Sequence, residues 1–239
     1  MLNPFYSKEA GKITFTAKQA SDFAKQIAQD FNPLHNEDNK RFCVPGDFMF
    51  ALVLEQYGIS QHLHFDFKGM VKGGSSLDFP PFEGDTLDLK DESNKTYLTV
   101  TKAGSVNQDK TFIDSFIYEY VAFSGQTFPH ILVPLMRQEG LMINPVKPLV
   151  IYENMEINLD SFSDKPVTLE CLKTKLEVKG KRGNVTLEFC VKSEGETIGT
   201  GNKHLIIGGL RAFDEDKIRE MVAINEALRA GYKGSGNVE

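Results

Sequence analysis

The chain has 239 residues, 41% hydrophobic and 25% charged, a length that suits one large domain or two small ones with a sizeable core. Lys and Arg number 27 against 33 for Asp and Glu, a net charge of −6, and no Lys/Arg run exceeds two residues, so the phosphate-tracking surface of a nucleic-acid binder is not expected. The longest apolar stretch, Phe48 to Leu54, is seven residues, well short of the roughly 20 that span a bilayer. The opening Met1–Lys8 has no charged region followed by an apolar one, so no secretory signal is read there. The three cysteines, Cys43, Cys171 and Cys190, are odd in number and widely spaced, and are expected as buried thiols in a reducing cytoplasm.

In chain order, Thr16 with Gln19 three residues on forms a capping box. Ala20, Phe23, Ala24, Ile27 and Ala28 then keep helical spacing to about Gln29, ahead of the Asp30-Phe31-Asn32-Pro33 turn. Asp47 is placed to cap a second helix whose residues Phe48–Leu54 are apolar on every face, ending near Gly58. Such a helix must be wrapped by other elements. Leu63, Phe65 and Phe67 alternate with polar residues as in a strand, and Thr86–Asp91, Tyr97–Ala103 and Thr111–Phe123 are further expected strands. Residues 47–123 thus read as a buried helix followed by an antiparallel meander. The order then recurs, with a short apolar helix over Phe128–Gly140 and strands Leu149–Leu159, Val167–Val178, Val185–Val191 and Thr197–Ile207. The apolar parity of Val167–Val178 switches between Cys171 and Leu172, the mark of a β-bulge. A last helix is expected from Asp214 to about Ala230, with Ile218, Met221, Val222 and Leu228 on one face, and a disordered tail over 233–239.

One segment carries a chemical constellation: Asp30-Phe31-Asn32-Pro33-Leu34-His35, just ahead of the buried helix. The Asn-Pro turn lets Asp30 and His35 approach each other. A carboxylate and an imidazole facing one cavity can hold a water, take a proton from it and return one to carbon. The same residues also suit an ordinary Asx-type turn in which His35 merely packs.

This motif resembles that of the MaoC-like, (R)-specific enoyl-CoA hydratases, and the chain is similar to an uncharacterised bacterial family related to them. The resemblance implies an α+β chain of double hotdog fold, each unit a buried helix wrapped by antiparallel sheet, plus a C-terminal helix. The units would be 1–126, carrying the motif, 127–210, degenerate, and 211–239, helix and tail. It implies a hydro-lyase acting on trans-2-enoyl-CoA or (R)-3-hydroxyacyl-CoA, with Asp30 and His35 as the acid/base pair and the Gly46 N–H polarising the thioester carbonyl. Helix N-termini offer free N–H groups for that task, and glycine permits a close approach. Asn32, Pro45 and Phe48 are the expected substrate-binding residues. No metal or organic cofactor is called for. The partner is an acyl-CoA or acyl-carrier thioester, with a pseudo-dimer inside one cytoplasmic chain and a homodimer also open. Pro45-Gly46 is also similar to the hotdog dehydratases of fatty-acid synthesis, but their helical Glu aligns with Ala51, so Glu55 inherits no role.

Two other classes stay open: a non-catalytic acyl-thioester binding protein, and a thioesterase using a water held by Asp30 or Glu55. Lesser candidates are His62, His64 and Asp66 on one strand face as metal ligands, His130 reaching the site across the units, His204 in mid-strand, and the basic cluster Lys179–Gly183 meeting coenzyme A phosphates.

Overall fold

A computed structural model describes residues 1–232; the expected tail over 233–239 lies outside the described residues. The short strands β1 (Ser7–Glu9) and β2 (Lys12–Thr14) lead into α1 (Ala17–Gln26), which is closed by the expected Thr16/Gln19 capping box. Helix α2 (Gly46–Tyr57) follows the motif loop, and every residue from Asp47 to Leu54 is buried. Its N-cap is Pro45 and not Asp47, because the Asp47 side chain turns inward instead of back to the helix end. Strands β3 (Ile59–Phe67), β4 (Ser76–Asp78), β5 (Thr86–Asp91) and β6 (Thr96–Asn107) come next.

Residues 111–123, expected as a strand, lie in helix α3 (Lys110–Gly125). Phe112, Ile113, Phe116, Ile117, Tyr120 and Val121 are its buried side, a spacing of three to four that overrides the strand preference of aromatic and β-branched residues. Asp109 caps it, its side chain accepting the Phe112 N–H at 2.8 Å. The short helix within Phe128–Gly140 is α4 (Leu132–Gln138), and the two-residue β7 (Leu141–Met142) follows.

Strands β8 (Val150–Leu159), β9 (Val167–Lys179), β10 (Arg182–Ser193) and β11 (Glu196–Gly208) match the expected four, and β12 (Arg211–Ala212) pairs with β7. The β9–β10 register slips where Glu188 faces Lys173 and Phe189 faces Cys171. Leu172 is therefore the extra residue of the expected bulge. Cys171, beside it on the edge strand, is exposed, contrary to expectation, whereas Cys43 and Cys190 are buried. Helix α5 (Glu215–Gly231) is capped by Asp214.

Ten strands form one antiparallel sheet in the order β1-β2-β4-β5-β6-β3-β8-β11-β10-β9. The β3–β8 pairing, from His62 opposite Asn158 to Asp66 opposite Asn154, makes it continuous. Both buried helices pack on it and on each other: Phe50 of α2 meets Phe65 of β3 edge-on and Tyr120 of α3 at 4.4 Å, and Tyr120 reaches Phe189 of β10. The class is α+β, with buried helices wrapped by an antiparallel sheet. None of the described helices is long and apolar enough to cross a membrane.

Candidate functional site

The motif loop folds as an Asx turn and also brings its two titratable groups together. Asp30 Oδ1 accepts the Asn32 N–H at 2.8 Å, and Asn32 Oδ1 accepts the Leu34 N–H at 3.0 Å, starting a single helical turn over Pro33–His35. Asp30 Oδ2 is thereby left 3.5 Å from His35 Nε2. The other imidazole nitrogen, Nδ1, donates to the Cys43 carbonyl oxygen at 2.8 Å. A carbonyl only accepts, so Nδ1 carries hydrogen and Nε2 is the nitrogen free for chemistry. Burial disfavours the imidazolium, but the Cys43 contact and the Asp30 carboxylate outweigh it and raise the His35 pKa to about 9. At neutral pH the imidazole is therefore held protonated, with the Asp30 side chain beside it.

The pair opens on a cavity of about 510 Å³. Asp30, Asn32, His35, Pro45 and Gly46 all line it. Phe48 does not: it is fully buried, stacked on Phe23 at 4.4 Å and packed against Phe15. At the start of α2, Phe48 is the first residue whose N–H finds a backbone acceptor, Pro45 O, and the Gly46 and Asp47 N–H groups face none among the described residues. At Gly46 the close neighbour on the side-chain side is an aromatic ring. A β-carbon there would sit 2.5 Å from the Tyr152 ring, so the space is filled by Tyr152, stacked on Phe67 at 4.3 Å.

Beside this helix end lies a buried polar group that the sequence reading missed. Lys203 Nζ is 3.2 Å from Asp47 Oδ1 and also bonds Ser124 Oγ, whose hydroxyl donates to Asp47 Oδ2 at 2.5 Å. The ammonium sits 3.9 Å from the centre of the Tyr152 ring, whose hydroxyl bonds that of Tyr120. Lys203 is 3% exposed, and burial lowers its pKa against the pull of Asp47. Lys203, Asp47, Ser124 and Tyr152 all line the cavity. The signal was present in Thr197–Ile207, where Lys203 occupies the inward parity shared with Leu205 and Ile207.

Two helices set the loop's position. Gly125, ending α3, lies so close to it that a β-carbon would fall 1.6 Å from Ala28 O and 3.4 Å from Asp30 N. Helix α5 closes over the same region: Arg229 donates to Gln29 O at 3.1 Å, and Tyr232 meets Phe31 edge-on at 5.8 Å. Met221 and Ile224 of α5, with Leu132, Ile143, Val150 and Leu205, give the cavity an apolar wall.

The remaining candidates stand elsewhere. Glu55 accepts hydrogen bonds from Leu2 N–H and the Tyr6 hydroxyl, outside the cavity, so it cannot hold a water there. His62 bonds Asn158 and His204 bonds Thr186, and no group of three potential metal ligands forms among the described residues. His130 is exposed and does not line the cavity. The Lys179–Gly183 hairpin lies away from it as well, with Arg182 paired to Glu153.

A family described as "Protein of unknown function (DUF3581)" matches residues 1–216. No curated protein matches the chain. Among solved structures, a conserved protein of unknown function with a hot dog fold from Alicyclobacillus acidocaldarius aligns at 10% identity and TM-score 0.47, over 86% of this chain and 97% of its own. A MaoC-like dehydratase from Phytophthora capsici aligns at 10% and 0.38, over 84% and 96%. A tesB protein from Mycobacterium avium subs paratuberculosis aligns at 7% and 0.46, over 86% and 97%.

Proposed function

The chain belongs to that family of unknown function, DUF3581, and we propose that it is a hydratase/dehydratase of acyl thioesters, taking trans-2-enoyl-CoA to (R)-3-hydroxyacyl-CoA or the reverse. The observation that carries this reading is the Asp30–His35 pair, 3.5 Å apart, on the wall of a largely apolar cavity beside the α2 N–H groups that have no acceptor among the described residues.

In the hydration direction a water lies between Asp30 Oδ2 and His35 Nε2. Asp30 takes a proton from it as its oxygen bonds to the β-carbon, and the π electrons move to the thioester oxygen. The helix N-terminus stabilises that enolate. The His35 Nε2–H then protonates the α-carbon from the same face, which is the syn addition. Asp30 passes its proton back to His35 and restores the pair. The free Asp30 oxygen serves as base because Asn32 engages the other one, and the apolar wall suits an acyl chain. On this reading Asp30, His35 and Gly46 are catalytic, with Asn32 and Pro45 shaping the substrate's surroundings.

We further assign the whole chain one such site, in a pseudo-dimer of two hotdog units, the second without a motif of its own. Asp30→Asn and His35→Asn are each expected to lower turnover by about two orders of magnitude or more with little change in melting temperature. Full activity in both variants would refute the assignment.

A further inference from the structure

The acid/base chemistry leaves the Lys203–Asp47–Ser124 group unexplained. Stability does not account for it, because a buried ion pair is costly to desolvate and apolar side chains of similar volume commonly serve as well or better. Its hydrogen-bond arithmetic is also incomplete. An ammonium has three donors. Asp47 Oδ1 and Ser124 Oγ take two from Lys203, and the third has no oxygen or nitrogen acceptor among the described residues, where the Tyr152 ring, 3.9 Å away, is its aromatic neighbour. Ser124 cannot be that group's free donor, since its own hydroxyl is given to Asp47.

The position is equally specific. Asp47 belongs to the first turn of α2, so the ammonium stands at the helix end where the Gly46 and Asp47 N–H groups have no acceptor among the described residues. Ser124 adjoins Gly125, which packs against the backbone at Asp30. The cavity thus joins the acid/base pair to a cluster of donors lacking one acceptor. Building on the proposed reaction, we propose that Lys203 grips the carbonyl oxygen of the acyl thioester, its third N–H acting with the N-terminus of α2. The ammonium would strengthen this contact as charge develops on the oxygen, and Asp47 and Ser124 would hold it in place. The ligand class is an acyl thioester with an intact carbonyl.

The test compares the affinities of a saturated acyl-CoA and the S-alkyl-CoA thioether of equal chain length, which lacks only the carbonyl. The full chain is expected to prefer the acyl form by on the order of 10- to 100-fold, as for a hydrogen bond from a charged donor. Lys203→Met/Asp47→Asn, which removes both charges together, is expected to lose at least about tenfold of that preference and keep only the part due to the α2 N–H groups. An undiminished preference in this variant, or none in the unmodified protein, would overturn the proposal. Should the variant fail to fold, the carbonyl stretch of a ¹³C-labelled acyl-CoA on the unmodified protein decides: a shift to lower frequency supports the contact, and an unshifted band overturns it. Neither readout needs turnover. A Lys203-dependent preference in a protein without hydratase activity would retire the reaction and keep the site.

Discussion

At the residue scale, the site turns on how one loop divides its hydrogen bonds. Asn32 N–H occupies one oxygen of Asp30 and Cys43 O occupies one nitrogen of His35, so the two free atoms are those that face each other. The ordinary turn and the approach of Asp30 to His35, which the sequence left as alternatives, are both present in this loop. The raised His35 pKa gives a pH prediction. If the imidazolium is the proton donor in hydration, the hydration rate falls as pH rises through about 9. The stability linkage has the same sign. Because the folded value exceeds the ordinary 6.5, the contribution is complete below 6.5 and is lost as pH rises toward 9. Melting temperatures across that window should fall for the unmodified protein and less for His35→Asn; equal slopes would contradict the charged pair. Gly46→Ala is a second residue-scale test. Its β-carbon meets the Tyr152 ring at 2.5 Å, so a cost of about 1–3 kcal/mol is expected, relieved in part by Tyr152→Leu. A neutral Gly46→Ala in denaturant unfolding would show that the ring is not held there.

At the element scale, the motif loop is positioned by helices from distant parts of the sequence. Gly125 at the end of α3 lets that helix touch the backbone of Ala28. Gly125→Ala is therefore expected to displace the loop, lowering turnover at least about tenfold along with the melting temperature. Unchanged values of both would deny the close approach. Elements were legible to different degrees. The capped α1, the buried α2, the four strands of 149–207, the bulge at Leu172 and α5 could be read from periodicity and caps. Helix α3 was not, because its aromatic and β-branched residues favour strand locally while only their spacing and burial against α2 and the sheet favour helix. Asp30 and His35 were legible because they are close in sequence. Lys203, Asp47 and Ser124 were not, since their meeting depends on three elements separated by up to 156 residues.

At the scale of the whole molecule, the sheet does not stop between the first six strands and the last four. The β3–β8 ladder and the contact of Phe50 with Tyr120 tie them together, and one apolar cluster runs from Leu2 to Ile198. Calorimetric unfolding is accordingly expected as a single transition with equal calorimetric and van't Hoff enthalpies. Two resolved transitions would mean that these contacts do not couple the halves. This continuity also places the cavity, whose lining draws on the motif loop, both buried helices, β8, β11 and α5.

The central claim is that Asp30 and His35 move protons to and from an enoyl thioester. It is tested most directly by following, on the purified protein and its Asp30→Asn variant, the loss of conjugated enoyl absorbance from trans-2-enoyl-CoAs of several chain lengths together with the release of free thiol. The account predicts enoyl loss without thiol release, reduced about a hundredfold or more in the variant. Thiol release would make the protein a thioesterase, and silence in both assays with acyl-CoA still raising the melting temperature would make it a binding protein; either result contradicts the account.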